Sequence, residues 1–248
     1  MTEQLSRLNL TGSRIEAVTP AQISAEDIER YCSREKPVFL RENELACTLS
    51  HEAAWRAMLA SGCDRALILE DDAVLSQLLP AFLNEAGGID VDLIRIETIL
   101  APVRVFPTDR RLNCGVELRT FRSTPFGAAG YILRASAAEI LLVAPAMRTT
   151  PIDVALYDPF EQPGKSLTRL LTEPGLCQQL ALTGQVTGGV AASDLRGDGL
   201  PHAFARKRPV RYGISRALAV ARVALRNVLD HFIQLPKGIE RRIIPFQP

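Results

Sequence analysis

A short apolar run, Ala66-Leu67-Ile68-Leu69, stops abruptly in three consecutive acids, Glu70-Asp71-Asp72. Four uninterrupted apolar residues read as a strand covered on both faces, and such strands belong to sheets flanked by helices. Before it, Asn43 to Ala60 predicts a helix. Asn43 offers an N-cap, Cys47, Ala54, Met58 and Leu59 supply apolar or small positions, and Gly62 follows the end. After it, Ala73 to Asn84 reads as loop and helix, and Val91 to Ile96 alternates like a second strand. Val103 to Phe121 reads as a hairpin turning near Asn113-Cys114-Gly115, Gly130 to Leu133 as a strand, and Ala135 to Val143 as a helix. The alternation predicts an α/β fold.

In open α/β sheets, ligands bind beyond the carboxyl ends of strands, where adjacent carboxylates repel one another unless a proton or cation neutralises them. Mg²⁺ or Mn²⁺ takes oxygen ligands and bridges carboxylates to phosphates. The plain alternative is an acidic triplet on a solvated loop. Composition narrows the classes. With 248 residues and 47% hydrophobic positions the chain can bury a core, which excludes global disorder and a disulfide-stapled miniprotein. Cys32, Cys47, Cys63, Cys114 and Cys177 are scattered without a C-x-x-C pair, which fits a reducing compartment. No apolar stretch approaches the roughly 18 residues of a membrane span. Glu3, Arg7, Arg14 and Glu16 leave no apolar middle for a signal peptide, so a cytoplasmic protein is expected.

The net charge of +1 conceals an asymmetry: residues 196–248 carry eleven Lys or Arg against three acids, and residues 1–195 carry 18 against 25. The chain is therefore read as a main domain, 1–195, and a basic tail, 196–248. Nucleic acid is not an expected partner, because basic residues are not interleaved with aromatics, which make up 6%. Within the tail, Ile214, Leu218, Ala221, Leu225, Val228 and Phe232 recur at four- and three-residue steps, with Arg216, Arg222 and Arg226 largely opposite. This predicts a basic amphipathic helix. Together with Arg206-Lys207-Arg208 and Arg241-Arg242, residues 206–242 suit peripheral contact with the anionic inner face of the plasma membrane. Alternatively, the apolar stripe packs on the main domain or on another subunit.

Glu44-Leu45-Ala46-Cys47, then Ser50-His51, Trp55 and the Leu69-Glu70-Asp71-Asp72 strand end together resemble glycosyltransferase family 25, a lipopolysaccharide-biosynthesis family. Phe126-Gly127-Ala128-Ala129-Gly130-Tyr131 and Pro151-Ile152-Asp153 are similar to two further family segments, and the resemblance covers roughly residues 5 to 185. It implies a GT-A-like nucleotide-sugar transferase fold, a Rossmann-like mixed sheet flanked by helices. It also implies transfer of a hexose, galactose in the first instance, from a UDP-sugar to a lipid-linked oligosaccharide acceptor of the lipooligosaccharide core, with Mn²⁺ or Mg²⁺ as cofactor. By the same resemblance, Asp72 with Glu70 would hold the metal, and Glu70, Asp71, Ser50, His51 and Gly127 would line the donor. Asp153 would take the acceptor proton as catalytic base.

The residues leave alternatives open. Asp153 after proline also suits a helix start, and His51 shares a helix face with Cys47, Ala54 and Met58, where a hydrogen-bonded core histidine is equally natural. Tyr131, Trp55 and Gly130 read as packing or backbone-access positions. The family's opening strand, resembling Val-Ile-Asn-Leu, is not found at Met1 to Leu8, where the residues are similar to the end of the family's first helix. A non-catalytic remnant that binds glycan or a partner is the competing functional reading.

Overall fold

A computed structural model describes residues 1–33, 39–182 and 210–248, the side chains of 182 and 210–220 excepted. Helix α1 (Thr2–Arg7) and the turn α2 (Ala25–Asp27) precede the long helix α3 (Glu42–Ala60). Asn43 lies inside α3 and does not cap it. Instead the Arg41 backbone N–H donates to the Glu44 carboxylate at 2.8 Å, the reciprocal half of a capping box. The helix ends before Gly62, whose φ of +72° favours glycine. Leu45, Thr48, His51, Glu52, Trp55 and Met58 fall at three- and four-residue steps and form its buried face.

The remaining elements are β1 (Arg65–Leu69), β2 (Ala73–Leu75), α4 (Leu79–Ala86), β3 (Leu93–Arg95), β4 (Pro102–Arg111), β5 (Glu117–Phe121), β6 (Gly130–Arg134), α5 (Ala135–Val143), α6 (Ile152–Tyr157), β7 (Arg169–Glu173), β8 (Cys177–Gln179), α7 (Val210–Gln234) and β9 (Glu240–Ile243). Seven strands form one sheet in the order β1-β6-β3-β7-β5-β4-β9, and β2 pairs with β8 in a small second sheet. The fold is mixed α/β, as expected, but among the described residues β3 with β7 is the one parallel strand pair in the large sheet. A hairpin (β4–β5) and strands returning antiparallel replace the repeated right-handed crossovers of a doubly wound sheet. The predicted hairpin is present and turns through Gly115, with φ +88°.

One expectation is corrected. Strand β1 is not covered on both faces; it lies at the sheet edge, and all five of its residues are half-buried. The strands that do run through the interior are β3 and β6. On one side of the sheet, α3, α5 and α6 bury Trp55, Leu93, Tyr131, Leu133, Leu141 and Tyr157 in one cluster. On the other, α4 packs Leu79 and Phe82 against Ile94, Ile96, Leu118 and Ile132.

The predicted tail helix exists as α7, and β9 after it adds to the sheet by pairing with β4. The face that meets the rest of the molecule is polar. Asp230 is buried and accepts from Arg104 Nη1 at 3.1 Å and Arg122 Nε at 2.7 Å, while Arg226 lies over the Phe160 ring at 4.2 Å and pairs with Asp158 and Glu161. The apolar stripe therefore does not pack on the domain: Ala221, Leu225, Val228 and Phe232 point outward. The 195/196 boundary and Arg206-Lys207-Arg208 lie outside the described residues, as do the side chains of Ile214, Arg216 and Leu218. Among the described residues, no helix is long and apolar enough to cross a membrane.

Candidate active site

The carboxyl ends of β1, β3 and β7 meet the start of antiparallel β6 at one end of the sheet, because Leu69 pairs with Gly130 and Arg95 with both Tyr131 and Leu171. The segments emerging there are 70–72, 97–98, 126–129 and 175–179. Glu70 follows β1 directly, its N–H donating to Ala129 O at 3.0 Å. Its Oε1 lies 3.2 Å from His51 Nε2 and 4.0 Å from Cys47 Sγ, and its Oε2 lies 3.4 Å from Gln179 Nε2.

The direction of the hydrogen bonds behind Glu70 follows from chemistry. Trp55 Nε1 can only donate, and it meets Tyr131 Oη at 2.9 Å. The single phenolic proton therefore points to His51 Nδ1, 2.8 Å away, which places the ring proton of His51 on Nε2, facing Glu70. Burial pushes the Tyr131 phenol well above its usual range, so it keeps that proton. Burial alone would raise the Glu70 carboxyl as well, but the interaction with His51, the hydrogen bond from Gln179 and the charge of Arg95 together outweigh it and hold the pKa below the ordinary value. Glu70 is an aligned carboxylate.

Asp72 is in the opposite condition. Burial first, then the charges of Glu70 and Asp71, push its carboxyl up to about 6, and its Oδ1 is shielded from solvent without a hydrogen-bond partner. Asp71 is exposed. Glu97, two residues past β3, is almost wholly buried: its Oε2 forms an ion pair with Arg95 Nη2 at 3.1 Å and accepts from the Ala129 N–H at 3.0 Å, while Oε1 has no hydrogen-bond partner. Burial raises it to about 7 despite Arg95, with Glu70 and Asp72 adding repulsion. Three carboxylates thus share one low-dielectric end of the sheet, two of them with an unused, buried oxygen.

Gly127 and Asp153 belong to the same place. Gly127 adopts φ +84°, and a Cβ there would sit 2.6 Å from Glu97 Oε1. Its N–H donates to Asp153 Oδ2 at 3.1 Å, and its carbonyl accepts from Arg95 Nη1 at 2.6 Å. Arg95, buried and stacked 4.7 Å from the Tyr157 ring centroid, also donates to Phe126 O at 2.7 Å, so one guanidinium fixes the 126–127 turn. Asp153 sits in the first turn of α6, where its Oδ1 accepts the Val154 N–H at 2.8 Å. It is both a helix-start residue and a member of the cluster.

The structure thus brings together Glu70, Asp72, His51, Gly127 and Asp153, with Asp71 at the solvent side. Ser50 is not brought in. Its Oγ accepts the Val18 N–H and donates to Ala46 O, both at 2.8 Å, and so ties the segment before α3 to that helix. Tyr131 does more than pack, since it sets the His51 tautomer. Arg95 and Glu97 were not singled out by sequence reasoning, although Ile96-Glu97 repeats in miniature the apolar-to-acid break at Leu69-Glu70.

Two donor sets could hold a metal. Cys47, His51 and Glu70 bring one donor atom each to within 4.8 Å of one another. Burial pushes the Cys47 thiol far up, so it remains protonated, and both His51 nitrogens are already engaged. That trio closes on itself. Asp72, with an orphaned carboxylate oxygen and a raised pKa beside Glu70, offers the hard oxygen donors that suit Mn²⁺ or Mg²⁺.

Comparison with known proteins agrees with the residue pattern. Residues 1–156 match the sequence model of glycosyltransferase family 25 (LPS biosynthesis protein). The lacto-N-neotetraose biosynthesis glycosyltransferase LgtB of Neisseria meningitidis serogroup B is 29% identical over 153 residues, 57% of this chain and 55% of LgtB. LgtE of the same organism is 32% identical over 159 residues, 58% of this chain and 55% of LgtE. The lipooligosaccharide biosynthesis protein lic2B of Haemophilus influenzae is 24% identical over 188 residues, 71% of this chain and 69% of lic2B. The matched region spans about half the length of the Neisseria relatives.

Proposed function

The chain belongs to glycosyltransferase family 25, and on that premise we propose that it transfers a hexose, galactose in the first instance, from a UDP-sugar to a lipid-linked oligosaccharide acceptor in lipooligosaccharide synthesis. The relatives' roles in lacto-N-neotetraose and lipooligosaccharide biosynthesis favour such an acceptor. The observation that carries the reading is the convergence of Glu70, Asp72, Gly127 and Asp153 at one end of the sheet, with Asp72 Oδ1 buried and unpartnered. A GT-A-like nucleotide pocket at that end is consistent with the carboxylate placement.

Asp72 and Glu70 would hold Mn²⁺ or Mg²⁺, which when bound offsets charge on the departing diphosphate. The chain's own groups do the rest. The His51 N–H keeps Glu70 oriented and ionised. Gly127 lets backbone approach the donor without a side chain in the way, and Arg95 holds that turn. Asp153, oriented by the Gly127 and Val154 N–H groups, would accept the acceptor's hydroxyl proton. The hydroxyl oxygen then bonds to the anomeric carbon as the bond to the diphosphate breaks.

Calorimetry with UDP and Mn²⁺ tests the reading. Wild type should bind UDP in a metal-dependent way, Asp72→Asn should weaken this at least tenfold, and Asp153→Asn should keep UDP binding while losing transfer. Absence of metal-dependent UDP binding in wild type would favour the non-catalytic binding module instead.

A further inference from the structure

Helix α7 is mounted with its polar side inward. Asp230, Arg226 and Asn227 are bonded to Arg104, Arg122, Asp158 and Glu161, which fixes the rotation of the helix about its axis. The opposite side presents Leu225, Val228, Leu229, Phe232 and Ile233, each between 51% and 67% exposed. Exposed Arg222 flanks this ridge, and exposed Lys237 and Arg241 follow it. Large side chains held in water by a rigid ionic clamp form an unpartnered face of defined orientation.

We propose that α7 is an in-plane membrane anchor, its apolar ridge inserted into the interface of an anionic phospholipid bilayer with the basic residues against the headgroups. Charge selects this occupant. The segment 196–248 has eleven basic residues against three acids, which attracts an anionic surface and repels a second copy of itself. The helix cannot cross the membrane, so it lies along it.

The mounting also orients the site. Asp158 and Glu161, which α7 grips, follow the six-residue α6 whose first turn carries Asp153. The backbone of Asp153 is thus on the order of 10 Å from the docking loop, so the docked protein keeps that end of the site near lipid-linked acceptors. This last consequence rests on the transferase reading; the lipid contact does not.

Vesicle sedimentation of the full chain tests it without any activity readout. Wild type should pellet with phosphatidylethanolamine vesicles containing phosphatidylglycerol, and much less with phosphatidylcholine or in high salt. Leu225→Glu/Phe232→Glu, both at exposed positions and so compatible with folding, should bind at least tenfold more weakly, and Leu225→Ala/Phe232→Ala should fall between. Equal pelleting of wild type and the Glu variant, or equal pelleting on both vesicle types, overturns the proposal. So does a wild-type dimer in sedimentation velocity that the Glu variant abolishes.

Discussion

Replacing Tyr131 by Phe removes one oxygen and nothing else from a fully buried position, and the structure fixes what that oxygen does. It accepts from Trp55 Nε1 and donates to His51 Nδ1. In the variant both nitrogens are left inside the core, Trp55 at 0% and His51 at 5% exposure. An orphaned buried polar atom costs about 1–3 kcal/mol, so the pair should cost about 3 kcal/mol after some relaxation. For a chain of this size each kcal/mol moves Tm by ~2–4 °C, giving a fall of roughly 6–12 °C. Scanning calorimetry measures that shift. The same variant removes the group that holds His51 Nδ1 in place and so loosens the ring that orients Glu70, and metal-dependent UDP binding should weaken as well. Nitrogen NMR of the wild-type imidazole provides the independent check, with the proton expected on Nε2. A Tm change under ~2 °C, or a wild-type proton on Nδ1, would refute the hydrogen-bond direction argued above.

Three further outcomes are expected. In metal-free protein the Asp72 carboxyl is raised from 3.8 to about 6, so its neutral form favours the fold below 3.8 and that contribution is lost as pH rises through 6. Asp72→Asn should therefore gain urea stability relative to wild type between pH 4 and 7, and Mn²⁺ should narrow the gap at pH 7; parallel pH curves would contradict this. Gly127→Ala forces φ +84° on a side chain whose Cβ meets Glu97 at 2.6 Å, which costs about 1–2 kcal/mol from the backbone alone. It should weaken donor binding at least tenfold, and unchanged binding by calorimetry would remove Gly127 from the site. Asp230→Ala strands Arg104 and Arg122, whose side chains are 11% and 31% exposed. Discounted for that exposure, the loss should be about 2 kcal/mol, with hydrogen exchange rising in 221–234 first; uniform exchange would show that the clamp does not hold the helix.

What could be read in the sequence were features encoded over a few neighbouring residues. The Leu69-to-Glu70 break, the Gly115 turn and the period of α7 are local patterns, and each has its counterpart in the structure. Which strand β1 pairs with is not local, because Arg65–Leu69 lie against Gly130–Arg134, and a half-buried edge strand has the same apolar letters as a central one. Nor is the docked side of α7, since Asp230 finds Arg122 and Arg104 108 and 126 residues away. Ser50 and His51 are adjacent in the chain, yet the helical turn between them sends one to Val18 and the other to Glu70. Glu97 was legible only as a faint echo of Glu70, and its burial depends on Arg95 and Gly127 arriving from separate segments.

The pairing of β4 with β9 also bears on how the protein is made. Strand β4 emerges from the ribosome with β5 to cover one of its flanks, but residues 240–243, which cover the other, follow only after about 130 more have been polymerised. Throughout that interval the nascent sheet offers an open row of amides and carbonyls to any neighbouring chain. A transcript cut short before codon 240 would yield a sticky product, so the yield of soluble protein during expression should depend more sharply on those four residues than their exposed side chains would suggest.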